Sequence, residues 1–207
     1  LHLSLRRQRQ MCIRDSVMSD MLSLLLQAVE KRLLRPLDIQ FAQLVAPESQ
    51  PGLLLAAACV SADAGEGHVC LPLSNLCEAN LFAGRQPALA QAIWHAAGAP
   101  EDWTARFADW SAVSDGSLVT PLVLSNQRLY LHRLWQSEGR VADFFAAQEV
   151  KTAFDMHAAG DVLNSLFDDQ PENWQKIAAA VALTRKTAVI SGGPGTGKTT
   201  TVATLLA

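Results

Sequence analysis

Long apolar runs are absent from this sequence. The longest, residues 53–60, has eight residues, whereas a helix that crosses a bilayer needs roughly 18 or more. Charged residues are also scarce, at 18% of the 207 residues, while 49% are hydrophobic. This composition excludes a transmembrane protein and a disordered or fibrous one, and predicts a globular chain of one or two domains without membrane contact.

Cysteine pairs at metal-binding spacing are lacking as well. The four cysteines, Cys12, Cys59, Cys70 and Cys77, form no C-x-x-C pair. We therefore predict buried free thiols in a reducing cytoplasm rather than disulfides or zinc ligands. His68 and Cys70 are two positions apart, but no second ligand pair follows at the usual spacing, so no metal is expected there. A G-x-S-x-G nucleophile motif is also missing.

Positive charge is concentrated in the first residues. Residues 1–16 carry four arginines and one aspartate, a net charge of +3, so the remaining residues carry −6. The arginines are followed by polar residues rather than by the apolar segment of a secretory signal. The run RQRQMCIRDS looks like translated adapter sequence, with a flexible basic tail as the alternative. Residues 1–20 are expected to be a non-native or disordered tail, and the acidic remainder argues against a broad nucleic-acid surface.

Apolar spacing predicts a mainly helical domain over residues 21–165. Stripes at 22–33 and 37–45 predict a helical hairpin that ends in a turn near Pro47. The run 53–60 fits either a buried strand or a core helix, and its alanines favour the helix. Residues 61–67 are polar and glycine-containing, and predict a loop. Further helices are predicted at residues 87–97, 141–150 and 161–167.

A small β-hairpin is expected within this domain. Residues 118–124 and 128–134 are β-rich and flank the polar turn Ser125-Asn-Gln127. Three tryptophans, Trp94, Trp103 and Trp110, precede the hairpin and could form a stacking platform for bases. Such a platform needs interleaved positive charge, and Arg106 is the single basic residue among them. The tryptophans are therefore predicted to pack in the core.

A second predicted region begins after a predicted linker at residues 167–171. An alanine-rich helix is expected at 173–184 and a buried strand at 187–191. Gly192-Gly-Pro-Gly-Thr-Gly-Lys-Thr199 follows, and matches G-x-x-x-x-G-K-[ST] without a mismatch, between a predicted strand and a predicted helix. A glycine-rich turn without a ligand is the alternative, but such a turn needs neither four glycines nor a lysine at a helix start.

Each residue type in this motif suits a polyphosphate. Glycines let backbone N–H groups approach the phosphate oxygens, and the following helix adds its N-terminal dipole. Lys198 suits the β- and γ-phosphates, and the Thr199 hydroxyl suits Mg²⁺, so these two residues are also the predicted catalytic groups. The predicted residues for ATP are Gly192, Gly193, Pro194, Gly195, Thr196, Gly197, Lys198, Thr199 and Thr200. The motif alone does not choose among kinases, GTPases, AAA-type ATPases and helicases.

Residues upstream of the motif narrow this choice. Gln175 lies on the predicted helix before the motif, and alone it is typical of a solvated helix residue. With GGPGTGKTTT it resembles the start of superfamily 1 helicases, where a glutamine hydrogen-bonds the adenine edge. Segments 35–42, 63–73, 120–133 and 173–203 extend the similarity, so that residues 21–207 resemble the bacterial RecD family, the alpha subunit of exodeoxyribonuclease V.

The resemblance implies a 5′→3′ ATP-dependent DNA helicase that processes double-strand ends for recombination repair. Its partners would be the beta and gamma subunits of a heterotrimer, with the nuclease site on the beta subunit. Residues 21–165 would be a subunit-docking domain, and residues 166–207 the start of a RecA-like P-loop domain with a parallel sheet. The expected fold class is α/β overall. Gln175 would read adenine, and Lys198 would stabilise the transferring phosphoryl charge.

The family's later motifs do not follow Lys198 in this sequence. Hydrolysis requires an acidic residue on a later strand and an arginine, and nine residues follow Lys198. The chain is therefore expected to be a fragment or a truncated gene prediction that binds ATP without hydrolysing it, with DNA contacted by segments that are missing. A non-catalytic docking module and an unrelated P-loop ATPase are the alternatives.

Overall fold

The structure, a computed structural model, describes residues 20–147, 155–168, 170 and 172–206. The chain divides into two compact units, Leu1–Glu138 and Gly139–Ala207. The functional boundary expected between residues 165 and 166 stays a prediction, and the tail at residues 1–19 lies outside the described residues. Within the described ranges, no helix combines the length and the apolar content that crossing a membrane requires.

Helices dominate the first unit. The helices are α1 (Asp20–Glu30), α2 (Pro36–Val45), α3 (Pro51–Gly65), α4 (Pro87–Ala96) and α5 (Trp103–Phe107), and α6 (His132–Ala146) contains the boundary between the units. Short 3₁₀ turns occupy Leu73–Asn75 and Leu81–Gly84. The helical hairpin expected near the start of the domain is confirmed as α1 and α2, and the helix expected at 87–97 is confirmed as α4.

A small mixed sheet completes this unit. Its strands are β1 (Cys70–Pro72), β2 (Val113–Ser114), β3 (Leu122–Ser125) and β4 (Arg128–Leu131), in the order β1-β4-β3-β2. β4 runs antiparallel to both β1 and β3, whereas β2 is parallel to β3. The predicted hairpin is confirmed as β3 and β4, but the second run ends at Leu131 because α6 begins at His132.

The hairpin turn has the backbone conformation that a two-residue connection needs. Asn126 and Gln127 have φ values of 49° and 60°. A type I′ turn requires positive φ at both central positions, because only then does its twist match that of the two strands. Asparagine tolerates this conformation better than most residues, which is why the turn was readable in the sequence.

Helix α3 forms the centre of the core. The side chains of residues 53–60 are all buried, which confirms the core helix expected from the alanine-rich run. The polar loop expected at 61–67 is wrong for its first five residues, because α3 continues to Gly65. The helix ends in a Schellman motif, in which His68 N donates to Asp63 O and Gly67, at φ 94°, donates to Ala64 O.

The predicted core tryptophans are confirmed. Trp103 and Trp110 are buried and Trp94 is half-buried. Trp103 Nε1 donates to Leu76 O at 2.7 Å, and Trp110 Nε1 donates to Val45 O at 2.9 Å. Phe107 lies between these two rings, with centroid distances of 5.5 and 5.7 Å. Satisfied indole N–H groups and ring contacts identify these residues as packing groups rather than a base-stacking surface.

The second unit differs from its sequence-based expectation. It contains α7 (Met156–Leu166), α8 (Trp174–Leu183) and α9 (Lys198–Leu206). The helix expected at 173–184 is confirmed as α8, whereas the strand expected at 187–191 is wrong. A parallel strand is stable only when neighbours pair with it and cover both its faces, and no described residue pairs with this segment, in which Val189 is 73% exposed. The described architecture is therefore mainly helical with one small mixed sheet.

A buried carboxylate joins α2 to α3. Asp38 is buried, and its Oδ1 accepts hydrogen bonds from Arg35 Nη2 at 2.6 Å and from Ser61 Oγ at 2.7 Å. Its Oδ2 accepts from Arg35 N at 2.8 Å and from Arg35 Nε at 3.1 Å. Burial raises the pKa of Asp38, but the hydrogen bonds from Arg35 and Ser61 outweigh it and hold the pKa below its ordinary value of 3.8.

We expect Asp38→Ala to lower the free energy of unfolding by about 1–3 kcal/mol, because it leaves the Ser61 hydroxyl without its acceptor and leaves Arg35 with Ser61 O but without the carboxylate. Urea denaturation at pH 7 measures this effect, with the exposed Asp109→Ala as the matched control. The Asp38 contribution is present above its ordinary pKa and is lost as the pH falls below it. A difference from wild type that stayed constant down to pH 3 would contradict the assignment.

Candidate functional site

The glycine-rich motif forms a turn that leads directly into α9. Residues 194–196 make the turn, and Lys198 is the first residue of the helix. Gly195 and Gly197 have φ values of 77° and 76°, in the region that side chains with a Cβ rarely adopt. The unpaired N–H groups of the first helical turn therefore emerge at the glycines, as an anion site requires.

Lys198 is folded back over this turn. Its Nζ donates to Gly192 O at 2.7 Å and to Gly193 O at 2.6 Å. Thr196 closes the same turn, since its Oγ1 donates to Gly193 O at 2.9 Å. The ammonium group thus lies at the centre of the loop, beside the backbone groups that would face a phosphate.

Helix α8 brings Gln175 to the same loop. Asn173 caps the helix by accepting a hydrogen bond from Lys176 N at 3.0 Å, and its Nδ2 donates to Asp168 O at 3.0 Å. Gln175 Nε2 lies 3.4 Å from Thr196 O. The structure therefore brings together Gln175 and the glycine-rich motif, which are separated by sixteen residues of sequence.

A cleft of about 610 Å³ lies between α8 and the loop. α8 contributes Trp174, Gln175 and Ala178 to its lining, and the loop contributes Gly192, Thr196 and Lys198. This size and this mixture of apolar surface with a few polar groups are typical of small-molecule sites.

Several motif residues lie outside the lining of this cleft. Pro194, Gly195, Thr199 and Thr200 are exposed and do not contribute to it. Thr201 is buried, lines the cleft and donates from Oγ1 to Gly197 O at 3.0 Å. The roles of all these residues in nucleotide binding stay predictions.

Sequence reasoning missed Trp174 and the acidic residues of the cleft, Asp168 and Glu172. A tryptophan at the start of an apolar helix is read as a core residue. Isolated acidic residues beside a predicted linker are typical of solvent-exposed positions. The sequence therefore carried no signal that placed the tryptophan or the acidic residues in a cleft.

Among the described residues, neither the cysteines nor the metal-ligating side chains form a second site. The described cysteines are free, and burial raises the pKa of Cys59 to about 12, so its thiol is unreactive at neutral pH. Cys70 and Cys77 are half-buried. Within the part of the chain that the structure describes, no group of three or more histidine, cysteine, aspartate or glutamate side chains is placed to hold a metal.

The chain matches a known family over much of the first unit. Residues 30–130 match the family described as RecBCD enzyme subunit RecD, N-terminal domain. This segment belongs to the RecD N-terminal domain family. The family resemblance inferred from the sequence is thereby confirmed.

Curated RecD proteins are similar over most of the chain. "RecBCD enzyme subunit RecD" of Buchnera aphidicola subsp. Acyrthosiphon pisum is 31% identical over 182 residues, which cover 88% of this chain and 30% of that protein. The protein of the same name from Haemophilus influenzae is 32% identical, over 90% of this chain and 32% of its own length. That from Mycolicibacterium smegmatis is 36% identical, over 84% and 29%. The chain thus spans about a third of the length of these RecD relatives.

We expect Gly197→Ala to loosen the RecD-like loop. A Cβ at φ 76° is strained by about 1–2 kcal/mol, and it would also collide with Gln175 Nε2. Gly193→Ala is the matched control, because Gly193 has no left-handed φ and a Cβ there would lie 3.9 Å from Thr196 Cγ2. Hydrogen exchange over residues 192–201 should accelerate in Gly197→Ala and change less in Gly193→Ala; equal protection in both variants would refute this geometry.

Proposed function

We propose that this chain carries the phosphate-binding loop of an ATP-dependent 5′→3′ DNA helicase of the RecD type. The observation that carries the proposal is the position of Lys198, at the start of α9 and inside a glycine loop that Gln175 contacts. The names of the relatives support membership in a RecBCD enzyme. The proposed helicase would be a subunit of exodeoxyribonuclease V and would act in double-strand break repair by recombination. We predict that it is located in the cytoplasm.

The hydrogen bonds of this loop support nucleotide binding. Phosphate oxygens would accept from the backbone N–H groups of the glycine loop and of the first turn of α9. Lys198 Nζ would exchange its two carbonyl acceptors for phosphate oxygens, which are charged and therefore stronger acceptors. Gln175, whose Nε2 lies 3.4 Å from Thr196 O, would present its amide to the edge of an adenine.

The residues present fit a nucleotide-bound Mg²⁺. Mg²⁺ keeps several waters and takes one or two protein ligands together with phosphate oxygens. Thr199 follows Lys198 in the first turn of α9, and its exposed side chain is open to such a complex. The ion would neutralise phosphate charge, and Thr199 would supply the protein oxygen.

Lys198→Ala should weaken ATP binding by the full chain at least about tenfold, because a charge-assisted hydrogen bond to phosphate is lost. Isothermal titration with Mg²⁺-ATP measures the dissociation constant. Lys186→Ala removes an exposed lysine that does not line the cleft, and is the matched control. Equal affinity of the Lys198→Ala and Lys186→Ala variants would exclude the phosphate role of Lys198.

A docking role for residues 21–165 is the second proposal. Helix α2 exposes two leucines seven positions apart, Leu37 and Leu44, at 61% and 83%. Positions i and i+7 lie on one helix face, and the half-buried Phe41 lies between them on the same face. An apolar face of this kind is suited to burial against another subunit. We therefore propose that α2 contacts the other subunits of exodeoxyribonuclease V.

The double variant Leu37→Glu, Leu44→Glu should reduce retention of the full chain by the co-expressed beta and gamma subunits at least about tenfold, because burying an unpaired carboxylate is strongly unfavourable. Gln40→Glu, Gln43→Glu adds the same charge at exposed positions of the same helix and is the control. Helix content by circular dichroism verifies folding. Retention that is unchanged in the leucine variant would remove α2 from the interface.

A further inference from the structure

Trp174 is more exposed to solvent than the other tryptophans. Trp103 and Trp110 are buried and donate hydrogen bonds within the core, whereas Trp174 is 71% exposed. An exposed indole presents a large flat apolar face that a ligand can cover. Trp174 also lines the cleft between α8 and the glycine-rich loop.

Trp174 lies on the face of α8 that borders the cleft. It is the first residue of the helix, directly after the Asn173 cap. Ala178 lies four residues further on, on the same helix face, and its small side chain leaves the space beside the indole open. Ile190 contributes apolar surface to the same cleft. An indole, an alanine and an isoleucine thus form an apolar surface suited to a flat ring.

The polar residues of the cleft indicate which molecule such a ring would belong to. Lys198, Thr196 and Gly192 are the cleft residues suited to phosphate, while Gln175 follows Trp174 in the chain and offers an amide. A nucleotide presents these two chemistries at its two ends, an aromatic base and a polyphosphate. The cleft contains the complement of each.

We propose that Trp174 stacks on the base of the nucleotide whose phosphates occupy the loop 192–199. This inference rests on the proposed nucleotide binding and deepens it. Trp174 contacts the face of the base, while Gln175 contacts its edge. Stacking is tolerant of base identity because every base has a π-face, so Trp174 contributes affinity for any nucleotide and Gln175 contributes the preference for adenine.

The test compares ATP with inorganic tripolyphosphate, which has the phosphates and lacks the base. In the full chain, Trp174→Ala should weaken Mg²⁺-ATP binding roughly 10- to 100-fold and leave tripolyphosphate binding unchanged. Trp174→Phe is the matched control, and should retain most of the affinity because it keeps an aromatic face. Substitution of so exposed a side chain is expected to have little effect on folding.

Two further measurements separate stacking from other causes. Trp174→Ala should weaken ATP and GTP equally, whereas Gln175→Ala should weaken ATP more than GTP. Tryptophan emission should change on adding ATP, not on adding tripolyphosphate, and the ATP response should be absent in Trp174→Phe.

Three outcomes would overturn this inference and leave the proposed function standing. Unchanged ATP affinity in Trp174→Ala excludes stacking. Equal loss of ATP and tripolyphosphate assigns Trp174 to loop structure instead. Equal binding of ATP and tripolyphosphate by the wild-type chain leaves the phosphate site standing and removes the base contact. Failure of the wild-type chain to bind either compound would instead refute the proposed function, and with it this inference.

Discussion

The burial of residues 52–61 of α3 is the constraint on which the first unit depends. A helical segment that is apolar on all sides must be covered on all sides, and α3 contacts α1, α2, α4, β1 and β4. Its alanines let these neighbours approach closely. At its start, a Cβ on Gly52 would lie 3.1 Å from Ala97 O, so even the first turn is closely packed. The polar end of α3 is fixed by Ser61, through the Asp38 carboxylate.

The second unit has a much smaller core. Its buried apolar residues among those described are Leu163, Phe167 and Ala179, with Ala180 and Leu205 packed against them. So small a core provides little hydrophobic stabilisation. A ligand that binds only the folded form stabilises it by mass action. Binding of a nucleotide between α8 and the loop would therefore act on folding as well as on function.

Helices that carry characteristic residues at their ends were predictable from the sequence. Helix α4 has Pro87 at its start and Gly98 just past its end, and α8 has the Asn173 cap. β1 and β2 were missed because they are two or three residues long and are defined by distant partners, as in the pairing of Cys70 with Tyr130. The strand expected at 187–191 failed for the same reason, since an apolar run becomes a strand only where a partner pairs with it.

The candidate site also combines residues that a local motif predicts with residues that only distant contacts reveal. The glycines, Lys198 and Thr199 follow from the motif, because the chemistry of the loop is contiguous in the sequence. Gln175 needed the family resemblance, since nothing local relates a helix glutamine to a loop sixteen residues away. Trp174 needed the structure, because only its exposure and its place in the cleft distinguish it from a core tryptophan.

The two hydrogen bonds of Lys198 to the loop carbonyls have a thermodynamic consequence. They order the loop before any anion arrives, so the conformational entropy that ordering removes is already lost in the free protein. Preorganisation of this kind favours affinity. The same bonds would break if an anion bound Lys198, so the binding enthalpy would be a difference between two sets of hydrogen bonds. Any gain in affinity from Lys198 would then come from the charge of the incoming acceptors, which are stronger acceptors than carbonyl groups.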